Sequence, residues 1–178
     1  MKAINTKFEG LKIIKQKNNI DNRGSLRETH NQKVVNDSKF IFEYCTTSKE
    51  NVFRGFHIQT KYKQAKYVNV VKGKIIDYVI DLRSKSKTFG KVFKIVLSDK
   101  NCLSLYIPEG FAHGYFSCEK INIIYYKLSN YYKPKFEDGI IWNDNSLKIK
   151  YPIKNPLISK KDKNLKTFKS FCKFYKNL

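Results

Sequence analysis

Between residues 39 and 128 apolar and polar side chains alternate in short runs, and turn-forming residues interrupt them. Val, Ile, Tyr and Phe dominate the runs, and such brief period-two alternation is the signature of half-buried strands. Strands are therefore expected over Leu11–Ile14, Lys39–Thr47, Asn51–Gln59, Lys66–Lys72, Lys74–Leu82, Lys91–Leu97, Leu103–Ile107, His113–Ser117 and Lys120–Leu128. Lys72-Gly73 reads as a hairpin connection, and Asp21-Asn22-Arg23-Gly24 opens a turn. Helical periodicity is almost absent before residue 158. Beyond it Ser159 can cap a helix with Asp162 three residues on, and Leu165, Phe168, Phe171 or Cys172, and Tyr175 recur at helical spacing. The pattern predicts an all-β fold, an antiparallel sandwich or barrel, with one short basic helical segment packed on it at the C-terminus.

Composition refines this picture. The 178 residues are expected to form one domain spanning 1–178, since the length suits one core and is short for two. An aromatic content of 15% separates the chain from disordered sequences. The formal charge of +21, from 36 basic and 15 acidic residues, raises nucleic acid or an anionic membrane as partner. The excess is nearly all lysine and evenly scattered, however, which reads as a solvated surface. Neither nucleic acid nor membrane is expected as a partner, and the same field would suit a small anionic substrate. Cys45, Cys102, Cys118 and Cys172 form no CxxC pair, and the first residues carry no stretch apolar enough for a signal peptide. Reduced thiols in the cytoplasm are the expectation.

The candidate chemistry centres on Asn51–Arg83. That stretch sets Arg54, His57, Lys66, Asp77 and Asp81 among strand residues, which is unusual unless one face lines a polar cavity. In strict alternation Arg54 and His57 would face opposite ways, but a bulge at Gly55 would bring both to one side. His30, His57 and His113 stand alone with no HxH pair, so no metal site is expected, and no phosphate-binding or dinucleotide glycine motif signals a cofactor. A lone histidine is more often structural than catalytic. Here Lys66 opens the next strand, and Tyr126 shares a strand face with Asn122, an odd neighbour for plain core. An imidazole base, a cation and a phenol acid together suit proton abstraction beside a carbonyl.

A series of motifs sharpens this. D-x-R-G (Asp21–Gly24), N-V-F-R-G-F-H-x-Q (Asn51–Gln59), Q-A-K (Gln64–Lys66), D-x-x-x-D-L-R (Asp77–Arg83) and T-F-G (Thr88–Gly90) occur in order. I-P-E-G-F-A-H-G (Ile107–Gly114), Y-K-x-x-x-Y-Y-x-P (Tyr126–Pro134), I-x-W-N-D (Ile140–Asp144) and P-L-I-S-K-K-D (Pro156–Asp162) follow. In these segments, from residue 21 to about 165, the chain resembles the dTDP-4-dehydrorhamnose 3,5-epimerase family. The resemblance implies a cupin-type antiparallel jelly-roll barrel, a homodimer, no metal, and epimerisation of a nucleotide-diphosphate-linked 4-keto-6-deoxy sugar. It implies His57 as base oriented by Asp162, Lys66 as the enolate-stabilising cation and Tyr126 as acid. Arg54, Gln59, His113, Glu137 and Lys161 match substrate-contacting positions. Arg23 and Glu28 match positions that reach the nucleotide from the partner subunit, and Tyr132, with Tyr131, matches an aromatic that stacks on the base. Asp77 would stand behind these groups.

The chain also departs from the family pattern. Phe42 and Tyr44 stand where the family carries a Gln and an Asn that touch the substrate, and Asn69 replaces a basic residue. These departures leave three expectations in play. The first is a 3,5-epimerase. The second is a single-centre epimerase or ketoisomerase on another nucleotide sugar, such as a GDP-linked hexose or heptose. The third is a non-catalytic barrel that binds nucleotide sugars or polyanions.

Overall fold

A computed structural model describes residues 1–175. The strands are β1 (Lys2–Asn5), β2 (Lys12–Lys15), β3 (Lys17–Asp21), β4 (Gly24–Glu28), β5 (Phe42–Ser48), β6 (Phe53–Gln59) and β7 (Lys66–Lys72). They continue as β8 (Lys74–Asp81), β9 (Val92–Ser98), β10 (Leu103–Ile107), β11 (Phe111–Ser117), β12 (Asn122–Leu128) and β13 (Glu137–Gly139). Two short helices follow, α1 (Lys160–Lys163) and α2 (Phe168–Phe174).

Two antiparallel sheets stack as a cupin-type jelly roll. One has the order β1-β2-β10-β7-β12-β5 and the other β13-β6-β11-β8-β9. Their facing sides meet in a core that takes Val68, Val70, Leu105 and Ile124 from the first sheet and Ile75, Val79, Leu97 and Phe111 from the second. Alternation along each strand supplies this core with every other residue. The opposite faces are covered too. Phe53, Phe56, Tyr78, Ile80 and Phe116 lie under the C-terminal segment with Ile140 and Phe171, and Ile14, Tyr67 and Tyr106 lie under Val35 and Phe40. That double coverage explains why β7, β8 and β11 read as nearly continuous apolar runs.

The fold differs from the sequence expectation in four places. The first is the paired strands β3 and β4 on either side of the expected Asp21–Gly24 turn, neither of which was expected. The N-terminal lead-in holds two paired strands, with Ala3 opposite Ile14, where one was expected. The strand β13, a three-residue EDG segment, gives no periodic signal and exists because it pairs with β6. The predicted C-terminal helix is two helices: Ser159 caps α1 as expected, but Asn164 ends it and Thr167 caps α2 afresh. Ser159 and Thr167 each accept an amide N–H at a helix start, and between the two helices Lys166 O accepts from Ile141 N–H, which holds that stretch extended. Tyr175 lies just past α2 as its C-cap.

Candidate active site

One end of the barrel opens into a cavity of about 790 Å³, lined from both sheets and from the C-terminal segment. Arg54, His57 and Gln59 enter it from β6, Lys66 from β7, His113 and Tyr115 from β11, and Tyr126 from β12.

The local device behind this convergence is a bulge. Between its pairings with β6, β11 advances from His113 to Tyr115 while β6 advances from His57 to Arg54, one residue further. The extra residue restores Arg54 and His57 to the same side, as the glycine between them suggested. Gly55 has φ +121°, and a Cβ there would lie 2.5 Å from Gly114 Cα. No side chain fits that crossing of two backbones.

The C-terminal segment reaches the same point. Phe53 N–H donates to Leu157 O and Leu157 N–H donates to Asn51 O, laying the chain along the start of β6. Ser159 then caps α1 and accepts from Asp162 N–H at 3.0 Å, which aims the Asp162 carboxylate into the bulge. One carboxylate oxygen lies 2.7 Å from His57 Nε2 and the other accepts from Gly55 N–H at 3.3 Å. Burial pulls this carboxyl's pKa upward, but the hydrogen bond and charge of His57, with Gly55 and Ser159, outweigh it and hold it below the usual range. A carboxylate so held fixes the imidazole's orientation.

Across the cavity Lys66 is almost fully buried and donates to His57 O at 3.3 Å. Desolvation lowers its pKa to about 8, against the pull of the Asp77 charge. Asp77 accepts from His113 Nε2 at 2.8 Å, and its other carboxylate oxygen has no partner. Burial drives the Asp77 carboxyl up, opposed by His113 and Lys66. Tyr126 stacks on Tyr44 with ring centroids 4.8 Å apart. Burial, with Tyr115, Tyr44 and Asp77 around it, keeps its phenol protonated well above the ordinary tyrosine range.

The other expected residues divide into groups. Glu137 lies 4.0 Å from His57 Nδ1 and is held by the Tyr132 hydroxyl at 2.8 Å and by Lys161. Gln59 lines the cavity, yet its amide is committed to backbone: it donates to Tyr62 O and Tyr131 O and accepts from Lys133 N–H. It thereby holds the loop that carries Tyr131 and Tyr132. Tyr132 lines the cavity, while Tyr131 sits outside it, half exposed beside Phe42. Arg23 and Glu28 are not part of this chain's own cavity. Arg23 is at the tip of the β3–β4 hairpin, paired with Asp21 at 2.7 Å, and Glu28 accepts from Asn31 and pairs with the N-terminus. Asn122, odd on the strand face of Tyr126, ties a turn by accepting from Lys74 N–H and donating to Ser48 O.

Sequence reasoning passed over the hydroxyls of Thr46, Ser48 and Tyr115. Their signal was period two: Tyr44, Thr46 and Ser48 share one face of β5. Among the described residues no three His, Cys, Asp or Glu side chains converge as a metal set.

The arrangement sets a base on one sheet and a cation and a phenol on the facing sheet, so a ring between them can lose a proton to one side and gain one from the other. Proteins similar to this chain in sequence and fold are epimerases by name. A dTDP-4-dehydrorhamnose 3,5-epimerase of Shigella flexneri is 38% identical over 174 residues, covering 94% of this chain and 96% of its own. The crystal structure of the Legionella pneumophila dTDP-6-deoxy-D-glucose-3,5-epimerase in complex with dTDP-4-keto-L-rhamnose superposes with TM-score 0.88 at 33% identity, covering 93% of this chain and 91% of that one. A 4-keto-6-deoxy sugar epimerase from the novobiocin cluster of Streptomyces spheroides gives TM-score 0.93 at 27% identity, covering 100% and 92%. The family model described as dTDP-4-dehydrorhamnose 3,5-epimerase matches residues 5–170. By fold and by sequence along nearly its whole length, this chain belongs to the dTDP-4-dehydrorhamnose 3,5-epimerase family, whose members are isomerases.

Proposed function

We propose that the protein epimerises a nucleotide-diphosphate-linked 4-keto-6-deoxy sugar, dTDP-4-keto-6-deoxyglucose first among candidates, at C3 and C5. The observation that carries this reading is the Asp162–His57 pair facing Lys66 and Tyr126 across one cavity. The 4-keto group acidifies the neighbouring C–H bonds. His57 removes the proton, the Lys66 ammonium stabilises the enolate oxygen, and Tyr126 delivers a proton to the other face. Arg54, His113, Glu137, Lys161 and Tyr132 hold the substrate, and Gln59 acts through the loop it anchors. Diphosphate contacts remote from the reacting carbon supply binding energy.

The same reading makes the protein a cytoplasmic homodimer of single-domain subunits, with no nucleic acid or membrane partner. The β3–β4 hairpin forms a separate two-stranded sheet, with Ile20 and Leu26 exposed, and in the dimer it carries Arg23 and Glu28 to the other subunit's nucleotide. Among the described residues no helix is long and apolar enough to cross a membrane.

A second reading, inversion at one centre or a different nucleotide sugar, is favoured by Phe42 and Tyr44. Both line the cavity where the family pattern has amide side chains. Incubation with dTDP- and GDP-linked 4-keto sugars in deuterated water, read by NMR, tests both. Label at C3 and C5 of the dTDP sugar is the expected outcome. Label at one centre, or only on another nucleotide's sugar, selects the second reading, and no label on any of them defeats both.

A further inference from the structure

Each inversion by the proposed mechanism leaves an imidazolium on one side of the ring and a phenolate on the other. A second inversion in the same binding event therefore needs Tyr126 to regain a proton while the sugar still fills the cavity. Tyr126 is 3% exposed and covered on one ring face by Tyr44, so the sugar would close its remaining access. Behind it runs a line of hydroxyls. Tyr44 pairs with Tyr126 and Thr46 with Ile124, which makes Thr46 the diagonal neighbour of Tyr126 on the same sheet face. Tyr115 reaches over from the facing sheet, its hydroxyl 3.1 Å from Thr46 Oγ1 and 2.8 Å from Ser48 Oγ. Arg54 Nε donates to Ser48 Oγ at 3.0 Å. A guanidinium can only donate, so the serine hydrogen is free to point at Tyr115, the Tyr115 hydrogen at Thr46 and the Thr46 hydrogen at Tyr126. The far end lies beside the exposed Arg54.

We propose that the Ser48–Tyr115–Thr46 hydroxyl chain is a proton relay that returns Tyr126 to its acid form with the sugar still bound. It rests on the reading of Tyr126 as the acid. A proton delivered from water at the exposed Arg54–Thr47 rim reaches the buried Ser48 Oγ as Ser48 passes its own to Tyr115, Tyr115 passes its own to Thr46, and Thr46 protonates the phenolate. Only O–H bonds break and form. The hydroxide left in solvent is neutralised by the proton that His57 releases at its partly exposed edge, so the cycle closes with no net change.

The test uses the full-length enzyme and dTDP-4-keto-6-deoxyglucose in deuterated water, with singly and doubly inverted sugars followed by NMR. Tyr115→Phe and Thr46→Val keep ring and branch volume while breaking the chain, and Thr46→Ser restores a hydroxyl. The second inversion is expected to slow about tenfold more than the first in Tyr115→Phe and Thr46→Val, releasing singly inverted sugar, and Thr46→Ser is expected to recover the ratio. Equal slowing of both steps, as loss of packing would give, or an unchanged ratio overturns the relay. So does a wild-type enzyme that inverts a single centre, although the epimerase reading then stands. Absence of any label defeats that reading itself.

Discussion

Asp77 and Asp81 lie four residues apart on one face of β8, both fully buried, and they have opposite surroundings. Asp81 is saturated: it accepts from Arg83 through the backbone N–H, Nε and a terminal nitrogen, and from the Ser86 and Thr88 hydroxyls. Burial pushes its pKa up, yet these donors win and its carboxyl sits below the ordinary value. Asp77 has one donor, His113, and one bare oxygen, and burial keeps its carboxyl high. A buried carboxylate with every lone pair used fixes a loop, here the one running from Arg83 to Gly90. A carboxylate left short of donors beside a cavity keeps electrostatic influence over whatever enters, including Lys66. Completeness of hydrogen bonding, more than burial, separates the structural end of the strand from the end that faces chemistry.

That contrast can be broken at measurable points. The largest effect belongs to the cavity: His57→Asn is expected to lower kcat by about 10³-fold with the thermal midpoint nearly unchanged, from steady-state rates and calorimetry. Asp81→Ala should show the reverse, a loss of about 3 kcal/mol in urea unfolding with the remaining folded enzyme active, because Arg83 is left without its counter-charge. The stabilisation from Asp81 is present above the ordinary carboxylate range and disappears as pH falls below it, since its folded pKa is lowered.

A smaller effect sharpens the role of Asp77. The ammonium of Lys66 is the required form, so kcat/KM should fall as pH rises through about 8, well below the ordinary lysine value of 10.5. Asp77 raises the Lys66 pKa, so Asp77→Asn should move this alkaline limb downward by about one pH unit. The sign for stability is opposite. Unfolded Lys66 holds its proton up to 10.5 while the folded group loses it near 8, so unfolding free energy gains from rising pH in that window. Lys66→Met should remove this gain. The smallest change is expected at the aromatic wall, where Phe42→Gln with Tyr44→Asn should alter KM for dTDP-linked against GDP-linked sugars several-fold while kcat moves less. An unchanged preference would remove these two rings from specificity.

The strands between residues 39 and 128 were legible because alternation against two neighbours leaves a period-two record, and the Gly55 bulge was legible because a glycine sat between two polar groups that needed one side. The EDG strand and the break at Asn164 were not. Glu137–Gly139 becomes a strand by pairing with Gln59–His57, a partner far away in sequence, and apolar spacing continues through Asn164 as though the helix did. The candidate site was read largely from family-like motifs. The motifs gave no sign that the Gln59 amide is spent on loop backbone.

The sequence by itself determined a strand-rich antiparallel sandwich or barrel and offered His57, Lys66 and Tyr126 as candidate groups, because local period and side-chain chemistry are written residue by residue. The jelly roll and the roles of those groups came from the family resemblance. Only the tertiary structure decided that the Asp162 carboxylate also takes the Gly55 N–H at the bulge, that Lys66 lies deep enough to titrate near 8, and that Thr46, Ser48 and Tyr115 join in one line. Those facts depend on distances between residues remote in sequence and on how much water is excluded between them, and neither quantity is carried by any local stretch.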